Sequence, residues 1–280
     1  MPAIDSALVR RLLRGQFPQW AGRPITPLAS GGTVNAVFRL GDDLTVRLPR
    51  SAEDVEEERR TLSSLGGLPV AVPAVAALGE PAEGYPFSWA VHRWLDGEPA
   101  LEGRPAEGLA EFVVALRANT AAGPPASRGE PLSTVDTATR RAIEELSRTD
   151  EPFDAEAARR VWAEALDAPQ WTGPPCWVHG DLMPSNLLLR DARLSGVLDW
   201  ATAGVGDPAA DLIPAWNLLT AATRSTFRDV VGADDASWAR GRGRALSMAV
   251  IQLPYYRHTN PVISANARYV LTELGCVPAP

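Results

Sequence analysis

The hydrophobic pattern of the chain changes period more than once in its first third. Residues 4–14 carry Ile4, Leu8 and Leu12 at helical spacing, with Asp5 and Ser6 near the start and Gly15 just past the end, which predicts a surface helix. The period then drops to two: NAVFRL and DLTVRL are short β-rich runs separated by GDD, the pattern of an antiparallel hairpin. AEDVEEERRTLSSLGG returns to helical spacing, a charged helix with Val55, Leu62 and Leu65 on one side and a glycine pair to end it. Proline-rich LPVAVPAVAALGEPAEGYP follows, and FSWAVHRWL reads as a further strand with a buried end.

From Asp96 onward the periodicity is mainly helical, in AEGLAEFVVALRANT, DTATRRAIEELSR, AEAARRVWAEALD and the C-terminal segments. A strand-rich part therefore precedes a helix-rich one, an α+β pattern, and the join near LDGEP is expected to be a hinge between lobes 1–95 and 96–280. No internal repeat is visible, and GPPASRGEPLSTVD has the turn-rich composition of an exposed loop.

Composition changes this picture little. The 280 residues are 45% hydrophobic and 22% charged, ordinary for a globular chain with one substantial core or two modest ones. The first residues interrupt their apolar positions with charges, and the stretch PVAVPAVAAL is short and broken by Pro73, so neither a leader nor a membrane span is expected and a cytoplasmic location is. Cys176 and Cys276 lie far apart with no CxxC pairing, which indicates packed thiols rather than disulfides or a zinc site. A net charge of −7 argues against nucleic-acid or anionic-membrane partners and favours a cationic small molecule.

The chemistry concentrates in HGDLMPSNLLLR and the VLDW that follows. Asp181 falls on a loop between the apolar runs CWV and LLL, with Asn186 on the same loop. Residues 187–189 and 197–198 read as a hairpin around RDARLSG, which would return Asp199 to the end where Asn186 lies. Two carboxylates and an amide oxygen would then converge, a set suited to hard Mg²⁺ rather than to zinc.

HGDLMPSN, followed thirteen residues after Asn186 by Asp199, resembles the H-[GR]-D-L-x-x-x-N…D pattern shared by protein kinases and the aminoglycoside phosphotransferase family. HGD and DW, in place of HRD and DFG, are similar to the small-molecule side of that group. The resemblance implies a bilobal protein-kinase-like fold with an antiparallel-sheet N-lobe and a mainly helical C-lobe. It also implies that Asp181 takes the proton of the attacking hydroxyl while Asn186 and Asp199 hold Mg²⁺ on the nucleotide phosphates.

The resemblance extends over nearly the whole chain. ASGGTVNAVFRL stands where the phosphate-covering loop would be, with Gly31 and Gly32 allowing close backbone approach and Thr33 or Asn35 able to donate to phosphate. Arg47 in LTVRLPR occupies the position that kinases usually give to lysine, and its implied partner is Glu58, with Glu57 as the alternative. AVHRWLDG is similar to the interlobe linker, which would make His92 the gatekeeper and bring the backbone of Arg93 and Leu95 to the nucleotide base. In GDPAADL, Asp207 and Asp211 are expected to brace the catalytic loop, and His179 to support it. Tyr255 and Tyr256 are expected to pack, with an aromatic substrate wall as the other reading.

The expected activity is Mg²⁺-dependent transfer of the γ-phosphoryl group of ATP or GTP to a hydroxyl of a small molecule, an aminoglycoside or a macrolide. A metabolic kinase acting on an amino alcohol or sugar is the alternative. A metal-dependent phosphohydrolase using His179, Asp181 and Asp199 is disfavoured, because neither remaining histidine, His92 or His258, sits in a ligand-spaced motif. A nucleotide-binding pseudokinase is invited only by the arginine at position 47.

Overall fold

The computed structural model describes residues 3–28, 34–52, 55–104 and 106–278. The backbone gathers into two compact units, Met1–Ser64 with Ala71–Asp96, and Leu65–Val70 with Gly97–Pro280.

In the first unit, helix α1 (Ser6–Gln16) starts where the Asp5 carboxylate accepts a hydrogen bond from the Leu8 amide at 2.8 Å. It runs through Gly15, past the expected stop, and ends where the Phe17 amide donates to the Leu13 carbonyl at 2.7 Å. Strands β1 (Ile25–Pro27), β2 (Asn35–Leu40) and β3 (Leu44–Pro49) precede helix α2 (Val55–Ser64), and β4 (Val75–Gly79) and β5 (Trp89–Arg93) follow it. Among the described residues these strands form one antiparallel sheet in the order β1-β2-β3-β5-β4. β4 comes from within the proline-rich stretch.

Strand alternation gives the two faces of this sheet different work. Ala36, Phe38 and Leu40, Leu44, Val46 and Leu48, and Trp89 and Val91 share a buried apolar cluster with Leu8, Val9, Leu12 and Leu13 of α1. At about 1.5–3 kcal/mol for each fully buried side chain of this size, the four from α1 suffice to fix that helix on the sheet. The intervening positions, Asn35 and Val37, Thr45 and Arg47, and Ala90 and His92, belong to the opposite face. In α2, Val55, Glu58 and Leu62 follow one stripe and are buried. Leu65, expected on that stripe, lies beyond the helix and in the second unit, where its neighbour Gly66 exchanges hydrogen bonds of 3.1 and 3.2 Å with the Asn119 amide.

The second unit runs through β6 (Glu98–Pro99), α3 (Leu109–Arg117), α4 (Asp136–Leu146), α5 (Ala155–Asp167), β7 (Cys176–Val178), β8 (Leu187–Arg190), β9 (Arg193–Val197) and β10 (Gly204–Gly206). Helices α6 (Pro214–Asn217), α7 (Ala221–Val231), α8 (Asp235–Tyr256) and α9 (Pro261–Glu273) follow. Helix α8 packs against α4, α5 and α9 and buries Leu246, Val250 and Leu253. Two small ribbons, β6-β8-β9 and β10-β7, carry the loops of interest. The β8–β9 hairpin is longer than expected, because its turn is only Asp191 and Ala192, with φ of 52° and 61°, which suits the twist of the flanking strands. Among the described residues no helix is long and apolar enough to cross a membrane.

Candidate active site

The loop after β7 is held by its backbone before any side chain is considered. Asp211, fully buried, accepts from the His179 amide at 2.7 Å and from the Gly180 amide at 2.8 Å. Burial raises the pKa of this carboxyl, while His179, the two amide bonds and Arg117 act in the opposite direction. Gly180 turns the chain with φ of 77°, a left-handed value natural to glycine. The Thr202 hydroxyl donates to the His179 carbonyl at 2.8 Å, and the buried Asn217 amide to the Leu182 carbonyl at 3.0 Å.

His179 ties two stretches of chain together. Its Nδ1 accepts from the Asp181 amide at 3.2 Å, so Nε2 carries the proton donated to the Leu198 carbonyl at 2.9 Å. The ring lies edge-on to Trp200, with centroids 4.9 Å apart. His179 is therefore a support for the loop, as expected.

Asp181, Asn186 and Asp199 lie on this framework. The Asn186 amide nitrogen donates to the Asp181 carbonyl at 2.9 Å and to Asp181 Oδ2 at 3.3 Å, which leaves its oxygen as the acceptor end. The Leu198 amide donates to the Asn186 carbonyl at 2.8 Å, which brings the start of VLDW to the end of the loop. Asp199 follows with φ of 58°, a left-handed conformation that costs a residue with a side chain roughly 1 kcal/mol and aspartate less than most. Among the described residues no group of three or more His, Cys, Asp and Glu side chains is gathered for a metal. One carboxylate and one oriented amide oxygen nevertheless fit Mg²⁺, which takes few protein ligands and completes its shell with water and phosphate.

A further contact on this loop has no signature in the sequence. Arg128 donates through one amino nitrogen to Asp181 Oδ1 and, at 3.2 Å, to the Gly180 carbonyl. Arg128 belongs to GPPASRGEPLSTVD, expected to be an exposed loop, yet Ala126 is buried with Val178 and Ala210, and Leu132 is buried too. Asn217 and Thr202 are likewise found only by their contacts.

Asp207 and Asp211 divide the bracing role assigned to both. Asp211 holds the loop directly, whereas Asp207 accepts from the Ala209 amide at 2.9 Å and pairs with Arg240 of α8 at 2.7 Å, fixing the turn that carries Asp211. Tyr255 departs from expectation: it is 75% exposed, stacked edge-on against Tyr256 rather than packed inside.

In the first unit, Arg47 pairs with Glu58, and Glu57 is exposed, which settles the choice between the two glutamates. His92, buried on the Arg47 face of the sheet, has its pKa pulled down to about 4 by burial and then by the positive charge of Arg47. Asn35 is buried on the same face. The Arg93 amide is taken by the Ala74 carbonyl at 2.8 Å, and Leu95 is half-buried. Gly31, Gly32 and Thr33 lie outside the described residues.

An antiparallel-sheet unit joined to a mainly helical one is the fold of the kinase-like small-molecule phosphotransferases. The chain belongs to the phosphotransferase enzyme family (APH), whose profile matches residues 24–246. Over 96% of its length it is similar to the GDP and kanamycin complex of APH(2")-IIia, with a TM-score of 0.70, 20% identity and 99% of that chain covered. Macrolide 2'-phosphotransferase type I is similar over 100% of this chain and 99% of its own, with a TM-score of 0.62 and 19% identity. Macrolide 2'-phosphotransferase MphH from Brachybacterium faecium gives a TM-score of 0.58 at 24% identity over 99% of this chain and 100% of its own. Among curated proteins, the uncharacterized protein YcbJ of Bacillus subtilis (strain 168) is 42% identical over 48 residues, and that match spans 17% of this chain and 16% of the relative.

Proposed function

We propose that the protein moves the γ-phosphoryl group of ATP or GTP to a hydroxyl of an aminoglycoside or macrolide antibiotic, a modification that confers resistance. The observation that carries this reading is the shared framework of Asp181, Asn186 and Asp199, in which the Asn186 amide is oriented by Asp181 and one backbone bond ties Asn186 to Leu198, the residue before Asp199. Asp181 accepts the proton of the acceptor hydroxyl, and the Asn186 oxygen and Asp199 carboxylate would hold Mg²⁺. Bound Mg²⁺ would neutralise charge developing on the phosphates. Arg47, steadied by Glu58, meets the nucleotide phosphates together with Gly31, Gly32, Thr33 and Asn35. His92 and the backbone of Leu95 meet the base, and Arg93 does so through its carbonyl, since its amide is bonded to Ala74.

The acceptor class is supported by the ligand and names of similar proteins, a kanamycin complex and two macrolide phosphotransferases, and by the net charge of −7, which favours a cationic acceptor. The reaction belongs in the cytoplasm, where the donor nucleotide is. The test offers the protein Mg-ATP or Mg-GTP with kanamycin, a macrolide, an amino alcohol and a sugar in parallel. Nucleoside diphosphate together with a phosphorylated antibiotic is the expected result. Phosphorylation of the amino alcohol or sugar alone would assign a metabolic kinase. Phosphate released from simple esters without nucleotide would assign a phosphohydrolase, and nucleotide binding without turnover a pseudokinase.

A further inference from the structure

We propose that Arg128 is a positioning residue for Asp181, fixing the carboxylate so that Oδ2 is the oxygen that takes the acceptor proton. This rests on the phosphotransferase reading above. A single amino nitrogen of Arg128 holds both the side chain of Asp181, through Oδ1, and the main chain of the same turn, through the Gly180 carbonyl at 3.2 Å. With Oδ1 engaged by a cation, the carboxylate cannot swing without losing that contact, and among the described residues Oδ2 keeps only the longer 3.3 Å bond from Asn186. The two side chains are 32% and 19% exposed, drier than a surface ion pair, so the contact restrains Asp181 more than an exposed pair would.

The backbone that presents Arg128 is held by pairing with β10. The Val205 amide donates to the Pro124 carbonyl at 2.8 Å, the Ala126 amide to the Val205 carbonyl at 3.0 Å, and the Asp207 amide to the Gly129 carbonyl at 3.0 Å. This segment lies on β10 only because Gly204 and Gly206 lack side chains: a Cβ at Gly204 would stand 2.4 Å from the Pro124 oxygen, and one at Gly206 2.7 Å from the Gly129 Cα. Next in the chain, the Glu130 carbonyl accepts from Arg244 of α8 at 2.6 Å. Arg244 is buried, which pulls its pKa down to about 10, and the charge of Arg128 is among its neighbours. Arg128 thus extends from a segment fixed on both sides of it. Arg128 touches Asp181 through its side chain, so its effect on the reaction runs through Asp181.

The test is a double-mutant cycle on the full chain, read as steady-state diphosphate formation from Mg-ATP and Mg-GTP with water and with kanamycin as acceptors. Arg128→Met should lower kcat by roughly 10- to 100-fold, the scale of a misplaced catalytic group. Calorimetric affinity for Mg-nucleotide should stay within about twofold of wild type, and in an Asp181→Asn background Arg128→Met should change the residual rate by less than about twofold. Arg128→Lys should recover part of the loss. Wild-type turnover in Arg128→Met, a loss confined to KM, or an independent further loss in the Asp181→Asn background would overturn the assignment. If Asp181→Asn alone were fully active, the phosphotransferase reading would fail instead. Should thermal unfolding show that Arg128→Met does not fold, Arg128→Gln enters the same cycle and is judged by the same outcomes.

Discussion

One guanidinium nitrogen of Arg47 donates to both carboxylate oxygens of Glu58, at 2.7 and 2.9 Å, and the two side chains are only 12% and 6% exposed. Removing the arginine strands the buried Glu58 carboxylate in a dry environment. Arg47→Ala should therefore destabilise the protein by on the order of 3 kcal/mol in urea unfolding. In the proposed reaction it should also lower kcat/KM for the nucleotide by roughly 10- to 1,000-fold. Arg47→Lys should keep much of the activity, since the charge stays and the pair with Glu58 uses a single nitrogen. A folded Arg47→Ala variant with unchanged kinetics would make the pair structural only.

His92 gives a pH dependence with a definite sign. Its pKa falls from 6.5 in the unfolded chain to about 4 in the folded one, so between these values the unfolded state binds more protons. Stability should fall as pH is lowered through this window, by on the order of 3 kcal/mol in full, and no further once both states are protonated. His92→Gln removes the effect while keeping a neutral polar side chain. The buried Asp211 titrates with the opposite sign in both proteins and cancels from the comparison. Urea unfolding at pH 7 and again near pH 4 should show a larger loss for wild type than for the variant, and equal losses would refute the shifted histidine.

What can be read from the sequence here is what depends on nearby residues. A hairpin between residues 186 and 198 ties Asn186 to the approach of Asp199 whatever the rest of the chain does, which is why the spacing of Asp181, Asn186 and Asp199 is informative. Glu58 marks the limit of periodicity: it lies on the stripe of Val55 and Leu62, but that it pairs with Arg47 instead of facing solvent is known only from the contact. Arg128 is out of reach because its segment has the composition of a loop. What makes it part of the site is backbone pairing with β10 and contact at two distant glycines, and neither leaves a local pattern. Tyr255 fails in the other direction: an aromatic residue near a helix end reads as core until its side of α8 is known to be open.

His179 should behave as a structural link whose loss reaches both functions at once. Its ring joins the backbone amide of Asp181, the proposed base, to the carbonyl of Leu198, the residue before the proposed metal ligand Asp199. His179→Phe keeps the ring volume and the contact with Trp200 but removes both hydrogen bonds. The expected result is a fall in kcat together with weaker Mg-nucleotide binding, and a loss of roughly 1–3 kcal/mol for the buried groups left without partners. Steady-state kinetics and calorimetry on the same preparation check this. A loss in kcat alone, with nucleotide affinity intact, would show that the Leu198 bond does not position Asp199.

A base and a metal ligand fail differently when removed, which separates Asp181 from Asp199. Asp181 contributes to the chemical step, so Asp181→Asn should lower kcat by roughly 10²- to 10⁴-fold. Mg-nucleotide binding should survive, because the substituted amide keeps the size of the side chain and the Asn186 carbonyl still receives the Leu198 amide. Asp199 is proposed to hold Mg²⁺ against the phosphates, so Asp199→Ala should lose Mg²⁺-dependent nucleotide affinity as well as turnover. Removing the carboxylate while keeping the left-handed backbone, as in Asp199→Asn, should have the same direction of effect without the conformational penalty of alanine at φ of 58°. Calorimetric titration of Mg-nucleotide into each variant, with a parallel titration of nucleotide in excess chelator, distinguishes the cases. If Asp181→Asn abolished binding while both Asp199 variants retained it, the two roles would have to be exchanged.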